Sequence, residues 1–117
     1  MKRKILFRGW SEDLQKWVEG GIYTHQNDVV IIHKHGNNLM QHTPVNPDSV
    51  GQFTGMLDID GNKVFEGMKL HRYLGVYWTV SFKDSKWVAI PETDSGLYLD
   101  ASQFKECKIT GNTFQPN

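Results

Sequence analysis

Along this chain apolar residues fall in short runs rich in Val, Ile, Tyr, Phe and Trp, cut at close intervals by Gly, Asn, Asp and Pro. That pattern predicts strands joined by turns, with little helix. Ile5, Phe7 and Gly9 alternate with Leu6, Arg8 and Trp10, so 4–10 reads as a first strand with both faces partly covered. The polar stretch Ser11 to Gln15 is a turn leading to a hairpin partner at Lys16-Trp17-Val18, after which Gly20-Gly21 breaks the pattern. Val29-Val30-Ile31-Ile32 is a β-branched run of the kind buried on both faces of a sheet. Gly36-Asn37-Asn38 supplies a turn, and Leu39 to His42 returns as a short strand. Pro44 and Pro47 remove two ladder donors and make Thr43 to Ser49 a loop, the best internal hinge candidate.

Beyond Val50 the signals are denser. Asp58-Ile59-Asp60-Gly61-Asn62 holds an Asp-Gly pair that predicts a tight turn before Val64-Phe65. Leu70 to Tyr73, Val76 to Phe82 and Trp87 to Ile90 predict a meander, connected by Leu74-Gly75 and by Lys83-Asp84-Ser85-Lys86. Period two puts Val76, Trp78, Val80 and Phe82 on the core face, with Tyr77, Thr79 and Ser81 facing the other way. Ser102 to Glu106 predicts one helical turn capped by Asp100 or Ser102, and Cys107 to Gly111 a final strand.

At 117 residues the chain suits one mainly β domain, divided as an N-terminal β extension over 1–49, a main part over 50–112 and a tail over 113–117. Thirteen basic and thirteen acidic residues cancel, which removes the uniform field of a protein that holds nucleic acid or an anionic membrane mainly by charge. The basic start, Lys2, Arg3, Lys4 and Arg8, reads as a solvated strand end. A lone cysteine, Cys107, excludes an internal disulfide and favours a reducing compartment. With Ile5-Leu6-Phe7 too short for a signal-peptide core and no long apolar window, the expectation is a soluble, cytoplasmic protein with no membrane partner. The many aromatics exceed what so small a core covers, which makes a homo-oligomer a candidate.

Phe7-Arg8-Gly9-Trp10, Val50-Gly51-Gln52-Phe53-Thr54-Gly55, Asp60-Gly61-Asn62-Lys63-Val64-Phe65-Glu66-Gly67 and Ile109-Thr110-Gly111-Asn112 together resemble the YopX family of phage and prophage proteins. The similarity runs through nearly the whole chain in the family's order. Met68 stands where the family commonly has Asp after the Glu-Gly pair, and the tail beyond Asn112 is short. The resemblance implies that 50–112 folds as a small SH3-type barrel, that the protein is encoded by a mobile element of a bacterial host, and that no catalytic function is known. Gly51, Gln52, Phe53, Gly55, Gly61, Glu66, Gly67, Gly111 and Asn112 are then structural motif positions, the glycines Gly51, Gly55, Gly61 and Gly67 serving positive φ or close backbone approach at barrel corners. Phe53, Phe65, Trp78 and Phe82 would fill the interior.

Candidate chemistry is sparse. His33 and His35 share one face of a strand, with His42 able to return opposite them, a metal geometry in outline that lacks a full ligand set. Asp58, Asp60 and Asn62 imitate the opening of a calcium loop, but Gly61 falls at the fourth position and Lys69 at the twelfth. No nucleophile elbow, phosphate loop or dinucleotide fingerprint is present, so neither catalytic residues nor a cofactor are assigned. Small barrels can stack bases on exposed rings beside cations, and Arg72, Tyr73, Tyr77, Lys83 and Lys86 are the candidates for that contact. The reading is a non-enzymatic accessory or interaction protein of unknown partner, the alternative a nucleic-acid-binding β module.

Overall fold

The alternation seen in the sequence becomes eleven strands in the computed structural model, which describes residues 4–35, 39–73, 75–93 and 96–116, with the backbone alone for His35 and Tyr73. The expected turn at Gly36-Asn37-Asn38, Leu74 of the next connection, and Lys2 and Arg3 lie outside the described residues. Among the described residues all strand pairing is antiparallel, in two sheets. The chain divides into two compact units between Gln52 and Phe53.

In the first unit β1 (Phe7–Ser11), β2 (Lys16–His25), β3 (Asp28–His35) and β4 (Leu39–Val45) form a meander in the order β4-β3-β2-β1. Gly51 and Gln52, at the start of β5 (Gly51–Leu57), pair with Arg8 and Phe7 on the free side of β1. Gly20-Gly21 does not interrupt β2; the strand runs through it. The reason is steric: a Cβ on Gly20 would stand 2.0 Å from the Ile32 carbonyl oxygen, so only glycine lets β2 and β3 approach this closely. The sheet rolls on itself, because Asn46 N donates to Trp10 O at 2.9 Å and Trp10 N donates to Ser49 Oγ at 2.8 Å. Val18, Ile31 and Val45 fill the roll, with Phe7, Ile22, Val29 and Val50 packed against them.

This rolling corrects three expectations. Thr43 to Val45 belong to β4, and Pro47–Ser49 is a 3-10 turn capped by the Asn46 side chain, so no loop runs from Thr43 to Ser49. Pro44 is tolerated because β4 lies at a sheet edge. Of the β-branched run only Ile31 is buried, the roll having one inside. Arg8 is no solvated strand end: it is buried, its guanidinium 3.9 Å from the Trp17 ring centroid, and opposite Glu19. Burial lowers its pKa to about 10, against the opposing field of Glu19.

In the second unit β5 continues and pairs with β6 (Lys63–Phe65). β7 (Met68–Tyr73), β8 (Val76–Lys83), β9 (Lys86–Pro91), β10 (Leu99–Asp100) and β11 (Lys108–Asn112) form a sheet in the order β10-β9-β8-β7-β11. Among the described residues these strands do not close into a barrel. Phe53, Phe65, Leu70, Trp78, Val80 and Phe104 are buried, and Phe53 and Phe65 stack at 5.5 Å. Phe82 is 54% exposed, not interior, since it pairs with Trp87 next to the hairpin turn, beyond the reach of the core.

Three of the motif glycines act through backbone conformation more than through crowding, whereas Gly51 is not among the positive-φ glycines. Gly55, Gly61 and Gly67 have φ of 89°, 84° and 88°, yet nothing lies within 4 Å of a Cβ placed on Gly55 or Gly61. Gly51 and Gln52 pair with β1, Glu66 is exposed in the turn before β7, Gly111 follows a bulge in β11, and Asn112 pairs with Met68.

Candidate binding groove

The β8–β9 hairpin turns on Asp84-Ser85, both left-handed (φ 53° and 65°), the geometry of a two-residue type I′ turn. Its register sets Lys83 directly opposite Lys86. Like charges so placed repel, and Lys83 turns to Tyr98: Nζ donates to the Tyr98 hydroxyl oxygen at 3.1 Å and lies 5.1 Å from the ring centroid. The Tyr98 hydrogen bond, and then the fields of Tyr98 and Asp84, raise the Lys83 pKa above its ordinary value.

Asp100 caps the 3-10 helix Ala101–Glu106 and settles which of the two expected caps is used. Its Oδ1 accepts from Ser102 N at 3.0 Å, while Gln103 Oε1 accepts from Asp100 N at 2.9 Å. This reciprocal pair, a capping box, fixes Gln103 beside Tyr98. A cavity of about 290 Å³ results, lined by Lys83, Asp84, Lys86, Val88, Tyr98, Leu99, Asp100 and Gln103. A second, of about 370 Å³, is lined by Arg72, Val76, Trp78, Leu97, Tyr98, Leu99 and Gln103. The two share Tyr98, Leu99 and Gln103 as lining and so adjoin at a groove beside Tyr98 in the second unit. Trp78 Nε1 donates to Leu97 O at 2.9 Å, and Arg72 Nη2 lies 2.6 Å from Glu106 Oε1. Leu97 at 84% and Tyr98 at 50% exposure remain open to a partner.

Of the five residues singled out for nucleic-acid contact, Lys83 and Lys86 line the first cavity and Arg72 the second. Tyr77 does not: strand alternation turns it away from Val76 and Trp78, and it stacks on His71 at 4.8 Å. The Tyr73 side chain lies outside the described residues. Tyr98, the centre of the groove, was not legible, because no spacing rule joins it to Lys83 fifteen positions away.

The other candidates have structural partners. His33 Nε2 is 2.8 Å from Thr43 Oγ1, whereas His42 pairs with Ile32 and so projects from the opposite face. The His35 side chain lies outside the described residues, and among those described no three His, Cys, Asp or Glu side chains gather as metal ligands. The Asp58 carboxylate accepts from the amides of Asp60 (2.9 Å), Asn62 (2.8 Å) and Ile109 (3.3 Å). Burial pushes its pKa up, but these amides outweigh it and hold the group below the usual carboxylate range. Cys107 is fully buried and its Sγ donates to Gln103 O at 3.5 Å. Burial raises its pKa, Glu106 adding to the rise and Arg72 opposing it, which disfavours the nucleophilic thiolate at neutral pH.

These elements define an all-β protein of two antiparallel sheets with an open, mixed-charge groove. The YopX protein family's sequence pattern matches residues 6–117, and the chain belongs to that family. A comparison with curated proteins finds no match. No helix among the described residues is long and apolar enough to cross a membrane.

Proposed function

We propose that this chain is a non-enzymatic accessory protein of a phage or integrated element, acting in the cytoplasm of a bacterial host as an interaction module through the Tyr98 groove. The observation that carries the reading is the pair of adjoining cavities that share a half-exposed Tyr98, flanked by Leu97 and by cations on both sides. Convergent polar groups around an apolar floor suit recognition of a partner. The experiment is recovery of bound protein and nucleic acid from host cells with the native chain and with Tyr98→Ala; a partner retained equally by both removes the groove from the reading.

A second reading, favoured by Lys83 on the Tyr98 ring and by Lys86 and Arg72 lining the two adjoining cavities, is a module for single-stranded nucleic acid, with a base on Tyr98 and phosphates on the cations. Binding of a labelled oligonucleotide that falls steeply with salt supports it, and salt-independent or absent binding removes it. We also infer that the second unit is an opened relative of an SH3-type barrel. The meander β7-β8-β9, the 3-10 helix and the return of β11 to β7 support that relation.

A further inference from the structure

Gln103 is half-buried and lines both of the cavities that adjoin at Tyr98. The capping box fixes how its amide is turned. A backbone N–H can only donate, so the atom that receives the Asp100 amide at 2.9 Å is Oε1, and the Nε2 group is left with two protons to give. Among the described residues no acceptor takes them.

Lys83 and Lys86 line the first cavity with it, both exposed and directly opposite one another in register. Neither makes an ion pair with a carboxylate among the described residues. Lys83 gives one of its three protons to the Tyr98 hydroxyl, and the Asp100 carboxylate is occupied by Ser102 N. Two opposed ammonium groups repel, and an anion set between them turns that repulsion into two charge-assisted hydrogen bonds.

The second cavity differs in kind. Val76, Trp78, Leu97 and Leu99 give it apolar walls, and at about 370 Å³ it has room for a large apolar side chain. The Trp78 indole N–H is already donated to Leu97 O, and Arg72 is neutralised by Glu106 at 2.6 Å. Cations are thus available at one end of the groove only. A phosphate backbone repeats its charge at every nucleotide and is held by cations in series, whereas a polypeptide brings one carboxylate, one apolar side chain and a main-chain carbonyl within a few residues.

Taking the Tyr98 groove as a recognition site, on which this inference rests, we propose that its partner is an extended, acidic and apolar segment of another protein. An Asp or Glu carboxylate of that segment lies between Lys83 and Lys86, a large apolar side chain enters the Trp78 cavity, and a main-chain carbonyl accepts from Gln103 Nε2. Residues two apart in an extended chain face the same side, so the acid and the apolar residue stand close together in the partner's sequence.

Selection of a random peptide library displayed on phage tests the proposal, with the full chain as bait and Tyr98→Ala as counter-selection. Peptides that bind the native chain and not Tyr98→Ala are expected to share an Asp or Glu within about three positions of a large apolar residue. For one such synthetic peptide, converting its acid to the amide and Lys86→Ala in the protein should each raise the dissociation constant about tenfold, with little further rise when the two are combined. Gln103→Glu keeps an oxygen for the Asp100 amide and replaces the donor by an acceptor, so it should weaken the same peptide at least about tenfold while the melting temperature stays unchanged. Tyr98-dependent peptides with no preference for acid, or an acidic peptide indifferent to Lys86→Ala, would overturn the proposal and leave the groove as a recognition site. A single-stranded oligonucleotide that binds through Tyr98 where no peptide does would overturn it in favour of nucleic acid. No Tyr98-dependent binder of either kind would remove the groove and the proposal together.

Discussion

Asp58 and Ile109, fifty-one positions apart, are joined by a hydrogen bond in which the Ile109 amide donates to Asp58 Oδ2 at 3.3 Å. The other carboxylate oxygen accepts from Asp60 and Asn62, so one buried side chain closes a turn and holds the last strand. Asp58→Ala should cost about 3 kcal/mol in urea unfolding at pH 7, since hydrogen bonds to a charged group contribute about 1.5–3 kcal/mol each and the freed amides are only partly rehydrated.

The same carboxylate links stability to pH. Its folded pKa lies below the ordinary value of 3.8, so its contribution is full above the unfolded pKa and is lost as pH falls through the folded one. The native chain should lose stability on acidification below about pH 4, and Asp58→Asn should flatten that limb. Unfolding curves from pH 7 downward measure both; parallel acid limbs for the two proteins would contradict the assignment.

Glycine positions separate two kinds of constraint. Gly55→Ala meets open space but must hold φ of 89°, a strain of about 1–3 kcal/mol. Gly20→Ala meets a backbone carbonyl oxygen at 2.0 Å, which forces β2 and β3 apart. Gly20→Ala should therefore lower the melting temperature more than Gly55→Ala, the order opposite to that of their φ angles.

At the groove, Tyr98→Ala should leave stability within about 1 kcal/mol, because half of the side chain already faces solvent. If the ligand is single-stranded nucleic acid, replacing both Lys83 and Lys86 by Ala should lessen the slope of log affinity against log salt by about 1.4, or roughly 0.7 per phosphate contact. Anisotropy titrations at several salt concentrations give this slope. An unchanged slope would exclude phosphate contact at these lysines.

The Cys107 thiol offers a probe of the second unit. Buried and with its pKa raised by that burial, it should react with a disulfide reagent at pH 8 far more slowly in the native chain than in denaturant. Its rate in the folded state then reports opening of the unit. Immediate native labelling would contradict the burial.

Much of the architecture was legible from local pattern. Alternation along Val76 to Phe82, the turn signal at Asp60-Gly61 and the helical turn capped by Asp100 or Ser102 correspond to β8, the Asp58–Asn62 turn and the 3-10 helix, where Asp100 is the cap. The family was legible too, and the match over 6–117 bears that assignment out. Local rules succeed here because strand alternation, positive φ and capping each involve residues within a few positions of one another.

Other features depended on residues brought together from far along the chain. Gly20-Gly21 signals a break unless Ile32 is known to press against it, and Arg8 looks solvated until Trp17 and the fold around it are in place. Lys83 finds Tyr98, and Asp58 finds Ile109, only after β8, β9 and β11 have been laid in order. The sequence by itself determined most of the strands and turns, and the family. Tertiary structure alone decided the groove, the buried charges and the exposed Phe82, because burial and pairing across long separations depend on how strands roll and register, which no local spacing encodes.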